Sequence, residues 1–131
     1  MPYLHIQASG AAADDALAAR IAESAVELTH RILHKDPALT AVVVDFIAPQ
    51  RWFIAGKPLR EGQPRSYHWM VSITDETNTK REKAEYLKAV HQAMDELLGG
   101  VAEHSYVHVA DLRAAAYGYG GLTQEYRYQV G

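Results

Sequence analysis

The sequence contains no cysteine, which excludes disulfide staples, thiolate nucleophiles and cysteine metal sites. It also has no excess of basic residues: 13 Lys and Arg stand against 16 Asp and Glu, a formal net charge of −3. Nucleic acids and anionic membranes call for the opposite balance, so neither partner is expected. No apolar run approaches the roughly 20 residues of a membrane helix. The opening MPYLHIQASG lacks the basic and long apolar stretches of a secretory signal. These absences lead to the expectation of a soluble cytoplasmic protein.

Metal-ligand spacing is missing too. His5, His30, His34, His68, His91, His104 and His108 include no HExxH pattern. His104 and His108 are four residues apart, a spacing that serves a metal on a helix but not on a strand. YGYGG at 117–121 lacks the strand-then-helix setting of a nucleotide loop. No metal and no cofactor is therefore expected.

The 131 residues are 48% hydrophobic and 22% charged, enough for one core, with residues 1–131 read as a single domain. Tyr3 to Gln7 is rich in strand formers, and Ser9-Gly10 breaks it. Asp14 and Asp15 suit a helix start. Leu17, Ile21, Ala25, Leu28 and Ile32 then mark one helical face, which Asp36-Pro37 ends. TAVVVDFI at 40–47 is a β-branched strand. The order recurs. YHWMVSI at 67–73 reads as a strand, and Asp75 to Thr79 supplies turn and capping residues. Tyr86, Leu87, Val90, Met94, Leu97 and Leu98 read as a helix face closed by Gly99-Gly100, and SYVHVADL at 105–112 as a strand.

A constant offset of 65 relates the two halves: Leu4 falls on Trp69, Ile6 on Val71, Ile21 on Tyr86, Val42 on Val107 and Val44 on Val109. Few identities survive, so the repeat is one of pattern, with units at about 2–59 and 66–123. RWFIAGKPLREGQPRS between them predicts a connecting loop with a short hairpin. The expected fold class is α+β: two fused β-α-β units forming a four-stranded mixed sheet with two helices on one face. The other face, read as valines and aromatics, is expected to be too apolar to stay wet, so self-association is implied.

A strand beginning at Pro2, followed by β-α-β twice over in this length, resembles the tautomerase superfamily across nearly the whole chain. HKDPALTAVVVDF at 34–46 and SYVHVADLRAAAYGYG at 105–120 resemble passages of its macrophage migration inhibitory factor branch. WFIAGK at 52–57 resembles the 4-oxalocrotonate tautomerase branch. The resemblance implies a homotrimer acting on a small carboxylate without a cofactor. It implies Pro2 as general base, its secondary amine exposed once Met1 is removed, in a reaction interconverting the enol and keto forms of a 2-hydroxy-enoate or 2-keto acid. It further implies that Lys35 and Arg51 hold the carboxylate, that Trp52 and Phe53 wall the site, and that Tyr106 and His108 arrive from a neighbouring subunit.

Each residue also has a plainer reading. Pro2 suits the first position of a strand, where no amide donor is needed. Lys35 suits a helix C-terminus. Arg51 suits a solvated loop, and Tyr106 and His108 suit cross-strand packing. His30 resembles a helix histidine of cis-3-chloroacrylic acid dehalogenase, but helical spacing sets it opposite the Leu28 and Ile32 stripe, in solvent. Ala12 and Val42 stand where 4-oxalocrotonate tautomerase has arginines, and Asp75 and Asn78 stand where the dehalogenase has them. Two alternatives stay open: the same scaffold catalysing hydration or dehalogenation, and a non-enzymatic oligomeric binding protein.

Overall fold

A computed structural model describes residues 2–11, 14–60 and 63–131. The chain runs through β1 (Tyr3–Ser9), α1 (Asp15–Leu33), β2 (Ala41–Ile47) and a hairpin of β3 (Phe53–Ile54) and β4 (Lys57–Pro58). It continues through β5 (Tyr67–Thr74), α2 (Lys80–Leu98), β6 (Tyr106–Leu112), a second hairpin of β7 (Gly118–Tyr119) and β8 (Leu122–Thr123), and α3 (Gln124–Val130). Every α-helix and strand from α1 to β4 has its counterpart 65 residues later, with the same bounds.

Local chemistry sets those bounds. Asp14 caps α1, its carboxylate accepting from the Leu17 N–H at 3.0 Å. Thr79, the residue 65 positions on, caps α2 in a reciprocal capping box with Glu82. Such caps satisfy amide donors that the helix itself leaves free. Both helices end on a left-handed residue. At α2 this is Gly99, φ 72°, which has no Cβ to strain; at α1 it is His34, φ 61°.

The main sheet has the order β2-β1-β5-β6. β1 pairs with β2 in parallel, Leu4 opposite Val42, and β5 with β6 in parallel, Trp69 opposite Val107. The central pair is antiparallel, Leu4 opposite Val71 and Ile6 opposite Trp69. His5 lies opposite Met70, which is its own counterpart in the second unit, so a local twofold passes between them.

The helices pack side by side on one sheet face. Leu4, Ile6, Ala8, Trp69, Val71 and Ile73 are wholly buried there against Ile21 and Ala25 of α1 and Tyr86, Val90 and Met94 of α2. All five positions of the α1 stripe are buried. Leu87, read as part of the α2 stripe, is instead 39% exposed. It follows Tyr86 by one residue, a turn of about 100° away from the core-facing line.

The opposite face differs from expectation. Because strand side chains alternate, it carries Tyr3, His5 and Gln7 from β1, Val43 and Asp45 from β2, His68 and Met70 from β5, and Tyr106 and His108 from β6. The valines and aromatics credited to it divide between the two faces, and Val42, Val44, Val107 and Val109 pack on the helix side. The face is uncovered within the chain and mixed, with Tyr3, Val43 and Tyr106 exposed between the histidines. A third helix, α3, follows the second hairpin and has no equivalent among the described residues of the first unit.

Candidate active site

Pro2 immediately precedes β1, an inner strand flanked by β2 and β5. It is buried, and its carbonyl accepts from the Ala41 N–H at 3.3 Å. β5 runs against β1, with Tyr3 opposite Ser72, so Thr74 and the turn after it lie at the Pro2 end of the sheet. Lys35 reaches the same turn: it leaves α1 two residues past the last helical one, and its Nζ donates to Thr77 Oγ1 at 2.9 Å. Thr77 Oγ1 in turn donates to the Thr74 carbonyl at 2.6 Å. Burial pushes the Lys35 ammonium below the usual lysine range, while Glu82 and Asp111 pull it back. Asp111 is paired with Lys83 at 2.6 Å. Lys35 is thus a half-buried cation with a hydroxyl partner and, among the described residues, no carboxylate within salt-bridge distance.

Asn78 joins this end from below, its amide donating to the Leu33 carbonyl at 3.0 Å and so tying the end of α1 to the start of α2. It serves the join between the units. Tyr117 also arrives here, after β6, and its hydroxyl bonds Thr74 Oγ1. Burial raises its phenol above the ordinary value. Sequence reading passed over Tyr117, although the 65-residue offset makes it the counterpart of Trp52.

Arg51, Trp52 and Phe53 fall elsewhere. β2 runs parallel to β1, Ser9 opposite Ile47, so the chain leaves β2 at the end of the sheet remote from Pro2. Arg51 is exposed, Trp52 half-buried, and Phe53, in the β3–β4 hairpin, 59% exposed. Tyr106 and His108 occupy a third place, the uncovered face, where their rings stack within 6° of parallel. The seven expected site residues therefore form one pair and two remote groups within a chain. Val42 faces the core, and Ala12 lies outside the described residues. His30 is exposed, donates from Nδ1 to the Lys35 carbonyl at 3.0 Å, and lines a cleft of about 440 Å³ with Val26 and Pro37. Among the described residues no group of three or more His, Asp or Glu is placed to hold a metal, and no helix is long and apolar enough to cross a membrane.

In the second unit the position of Pro2 is taken by Tyr67, an interior residue with no free amine. Its hydroxyl hydrogen-bonds with His91 Nδ1 at 2.8 Å, and burial raises its phenol. The two units are alike in backbone and unlike at this point.

No protein-family model matches the sequence, and no curated protein matches it. Solved structures do match, across nearly their full length. A protein crystallised after inactivation by 2-oxo-3-pentynoate matches with a TM-score of 0.81 at 15% identity, covering 95% of this chain and 98% of that one. A fused 4-OT, a symmetric trimer, matches with a TM-score of 0.81 at 16% identity, covering 94% and 96%. A macrophage migration inhibitory factor-like protein from Entamoeba histolytica gives 0.75 at 14%, covering 93% and 97%. The fold thus defines an α+β protein of two joined β-α-β units. It shares its fold with the fused 4-OT and macrophage migration inhibitory factor-like structures, in the two-unit form of the former.

Proposed function

We propose that this chain is a cofactor-independent tautomerase that moves a proton between oxygen and carbon of a small 2-hydroxy-enoate or 2-keto acid, with Pro2 as the base. The observation that carries the reading is the placing of Pro2, buried at the head of an inner strand at the same end of the sheet as Lys35. An internal proline nitrogen is a tertiary amide without a basic lone pair. Removal of Met1 makes it a secondary amine with a basic lone pair. Burial and a nearby cation both disfavour the ammonium form, which suits a base working near neutrality. Tyr67 cannot take this part in the second unit, so one base per chain is proposed.

The fold neighbour inactivated by 2-oxo-3-pentynoate suggests the test. Conjugate addition of the Pro2 amine to that alkyne should raise the mass of the Met1-free chain by one molecule of the acid, located by peptide mapping at residue 2. Protein retaining Met1 should gain no label at Pro2. Labelling that ignores Met1, or that maps away from Pro2, rejects Pro2 as the reactive amine.

The trimeric fused 4-OT neighbour supports a homotrimer for this chain as well. In that assembly Arg51, Trp52, Phe53, Tyr106 and His108 of one subunit would complete the site around Pro2 and Lys35 of another. The substrate class favoured is a small monocarboxylate with an aromatic or alkyl tail, because in such an assembly the cations Lys35 and Arg51 would meet across subunits beside Trp52 and Phe53 as an apolar wall. Losing one charge-assisted carboxylate contact costs about 1.5–3 kcal/mol, or roughly tenfold to a hundredfold in affinity. Lys35→Ala and Arg51→Ala should each raise KM for phenylenolpyruvate by about that factor, with circular dichroism and oligomer mass unchanged. If KM and kcat are unmoved in both, the carboxylate is held elsewhere. A compact dicarboxylate such as 2-hydroxymuconate proving the far better substrate would reject the tail argument and leave Pro2 standing.

A further inference from the structure

The two ends of the sheet share a backbone plan and differ in their side chains. β2 ends beside Ser9, so the hairpin that follows it carries Trp52 to the Tyr67 end. β6 ends beside Thr74, with Leu112 as its partner there, so the matching hairpin carries Tyr117 to the Pro2 end. The local twofold thus places each unit's hairpin at the head of the other unit's first strand. At the Tyr67 end that position holds an indole, and there is no free amine. At the Pro2 end it holds a phenol, whose hydroxyl is hydrogen-bonded to Thr74 Oγ1. The strand ends differ in the same sense. Ser9, the counterpart of Thr74, uses its hydroxyl on the backbone, accepting from the Ser66 N–H at 2.9 Å. Among the described residues, Thr74 Oγ1 has Tyr117 as its one partner.

Three groups converge on the turn at 74–77, each from a different segment. The β1–β5 register, Tyr3 opposite Ser72, continues by one step to set Pro2 opposite Ile73, next to Thr74. Lys35 Nζ reaches the turn at Thr77 Oγ1, 2.9 Å away. Tyr117 reaches it at the Thr74 side chain. Freed of Met1, Pro2 brings an amine, Lys35 an ammonium and Tyr117 a neutral donor. Burial raises the Tyr117 phenol above its ordinary value, and the Asp75 carboxylate adds to this, while the Thr74 hydrogen bond opposes it. The ring therefore keeps its proton at neutral pH. Hydroxyls rotate, so Thr74 can donate to the Tyr117 oxygen while Tyr117 directs its own O–H at a ligand.

We propose that Tyr117, held by Thr74, is the hydrogen-bond donor to the C2 oxygen of the substrate. The proposal deepens the reading of Pro2 as the base and rests on it. In ketonisation Pro2 takes the proton of the C2 hydroxyl, and the electrons of that O–H bond form the C2=O double bond. The C2=C3 π electrons form the new C3–H bond with the proton that Pro2 took. Negative charge lies on the C2 oxygen between the two transfers, and the Tyr117 O–H stabilises it without giving up its own proton. C2 is bonded to the carboxylate carbon. A carboxylate held by Lys35 therefore keeps the C2 oxygen beside the turn to which Tyr117 is tied.

Tyr117→Phe in the Met1-free chain removes one oxygen and keeps the ring. It should lower kcat for phenylenolpyruvate by about 10²-fold, with KM little changed, because the contact strengthens as charge builds. Cinnamate has the same ring and carboxylate without the C2 oxygen. Its inhibition constant should be the same in wild type and variant, since it offers Tyr117 nothing to bind. Cinnamate binding that weakens along with kcat would show a misshapen pocket and overturn the role of Tyr117. The variant should also take up one molecule of 2-oxo-3-pentynoate at Pro2, and loss of that label would overturn the assignment by showing that the substitution disturbs the amine. An unchanged kcat in Tyr117→Phe, beside an active wild type, overturns Tyr117 as the donor and leaves Pro2 standing. A Met1-free wild type that neither turns over the substrate nor takes the label overturns the Pro2 reading, and this one with it.

Discussion

Protein freed of Met1 is expected to ketonise phenylenolpyruvate, and protein that keeps Met1 is expected to lose roughly 10²–10⁴-fold in kcat/KM, the usual contribution of a positioned general base. The two forms differ by one residue outside the described fold, so their circular dichroism and thermal midpoints should agree. That agreement separates loss of the amine from loss of structure. Pro2→Ala, also processed, offers a primary amine at the same place and should fall between the two, since it keeps a basic nitrogen and loses the ring that fixes it. An intact mass on each preparation reports the Met1 state, and one proton-exchange assay ranks the three. Equal rates in all three forms would sink Pro2 as the base. Activity in the Met1-retained form alone would move the base to another residue of the Pro2 end, with Lys35 the first to substitute.

The ranking depends on a feature that the sequence displays directly. The 65-residue offset placed Leu4 on Trp69 and Val42 on Val107, and those residues occupy equivalent positions in the two parallel ladders. The offset was readable because a half-buried strand alternates and an amphipathic helix repeats every three to four residues, and both patterns survive when identities do not. The Asp14 and Thr79 caps were readable for a similar reason: a short polar side chain before a periodic run has few other uses.

Other features needed the third dimension. The WFIAGK motif follows β2 directly, which suggests closeness to the site, but a parallel crossover carries the end of β2 away from Pro2. Strand direction cannot be read from adjacency, and the gap between Lys35 and Arg51 within one chain closes only through assembly. The polarity of the uncovered face was readable and was misassigned. Taken by parity, the odd positions of β1 and the even positions of β5 include Tyr3, His5, Gln7, His68 and Met70, a mixed set. Counting the valines of β2 and β6 without assigning each to a face hid it. The 2.8 Å contact between His68 Nε2 and His108 Nδ1 was out of reach, because Tyr106, not His108, lies opposite His68 in the ladder.

Where the two units meet in the core, their sequences part, and the second large effect is expected there. Leu4 and Ile21 of the first unit correspond to Trp69 and Tyr86 of the second, both wholly buried. Indole Nε1 can only donate, and it lies 3.0 Å from the Tyr86 oxygen. Tyr86 therefore accepts from Trp69, and its hydroxyl shares a second hydrogen bond with Thr29 Oγ1 on α1, at 2.8 Å. Burial pushes the Tyr86 phenol up to about 12, so it stays a donor through the working pH range. The chain crosses from β5 through α2 to α1, and so binds one unit to the other. Trp69→Ala should cost about 3–5 kcal/mol through lost burial and the cavity left behind, read as a fall in urea midpoint at unchanged slope. Tyr86→Phe keeps the ring and removes only the oxygen, stranding the Trp69 N–H and the Thr29 hydroxyl at about 1–3 kcal/mol each. If that accounting is right, Thr29→Val should cost less in the Tyr86→Phe background than alone, because its hydroxyl has already lost its partner. A coupling of about 0.5–3 kcal/mol is expected between the two sites. Costs that simply add would show that Thr29 and Tyr86 act as independent packing groups and that the polar crossing contributes nothing to joining the units.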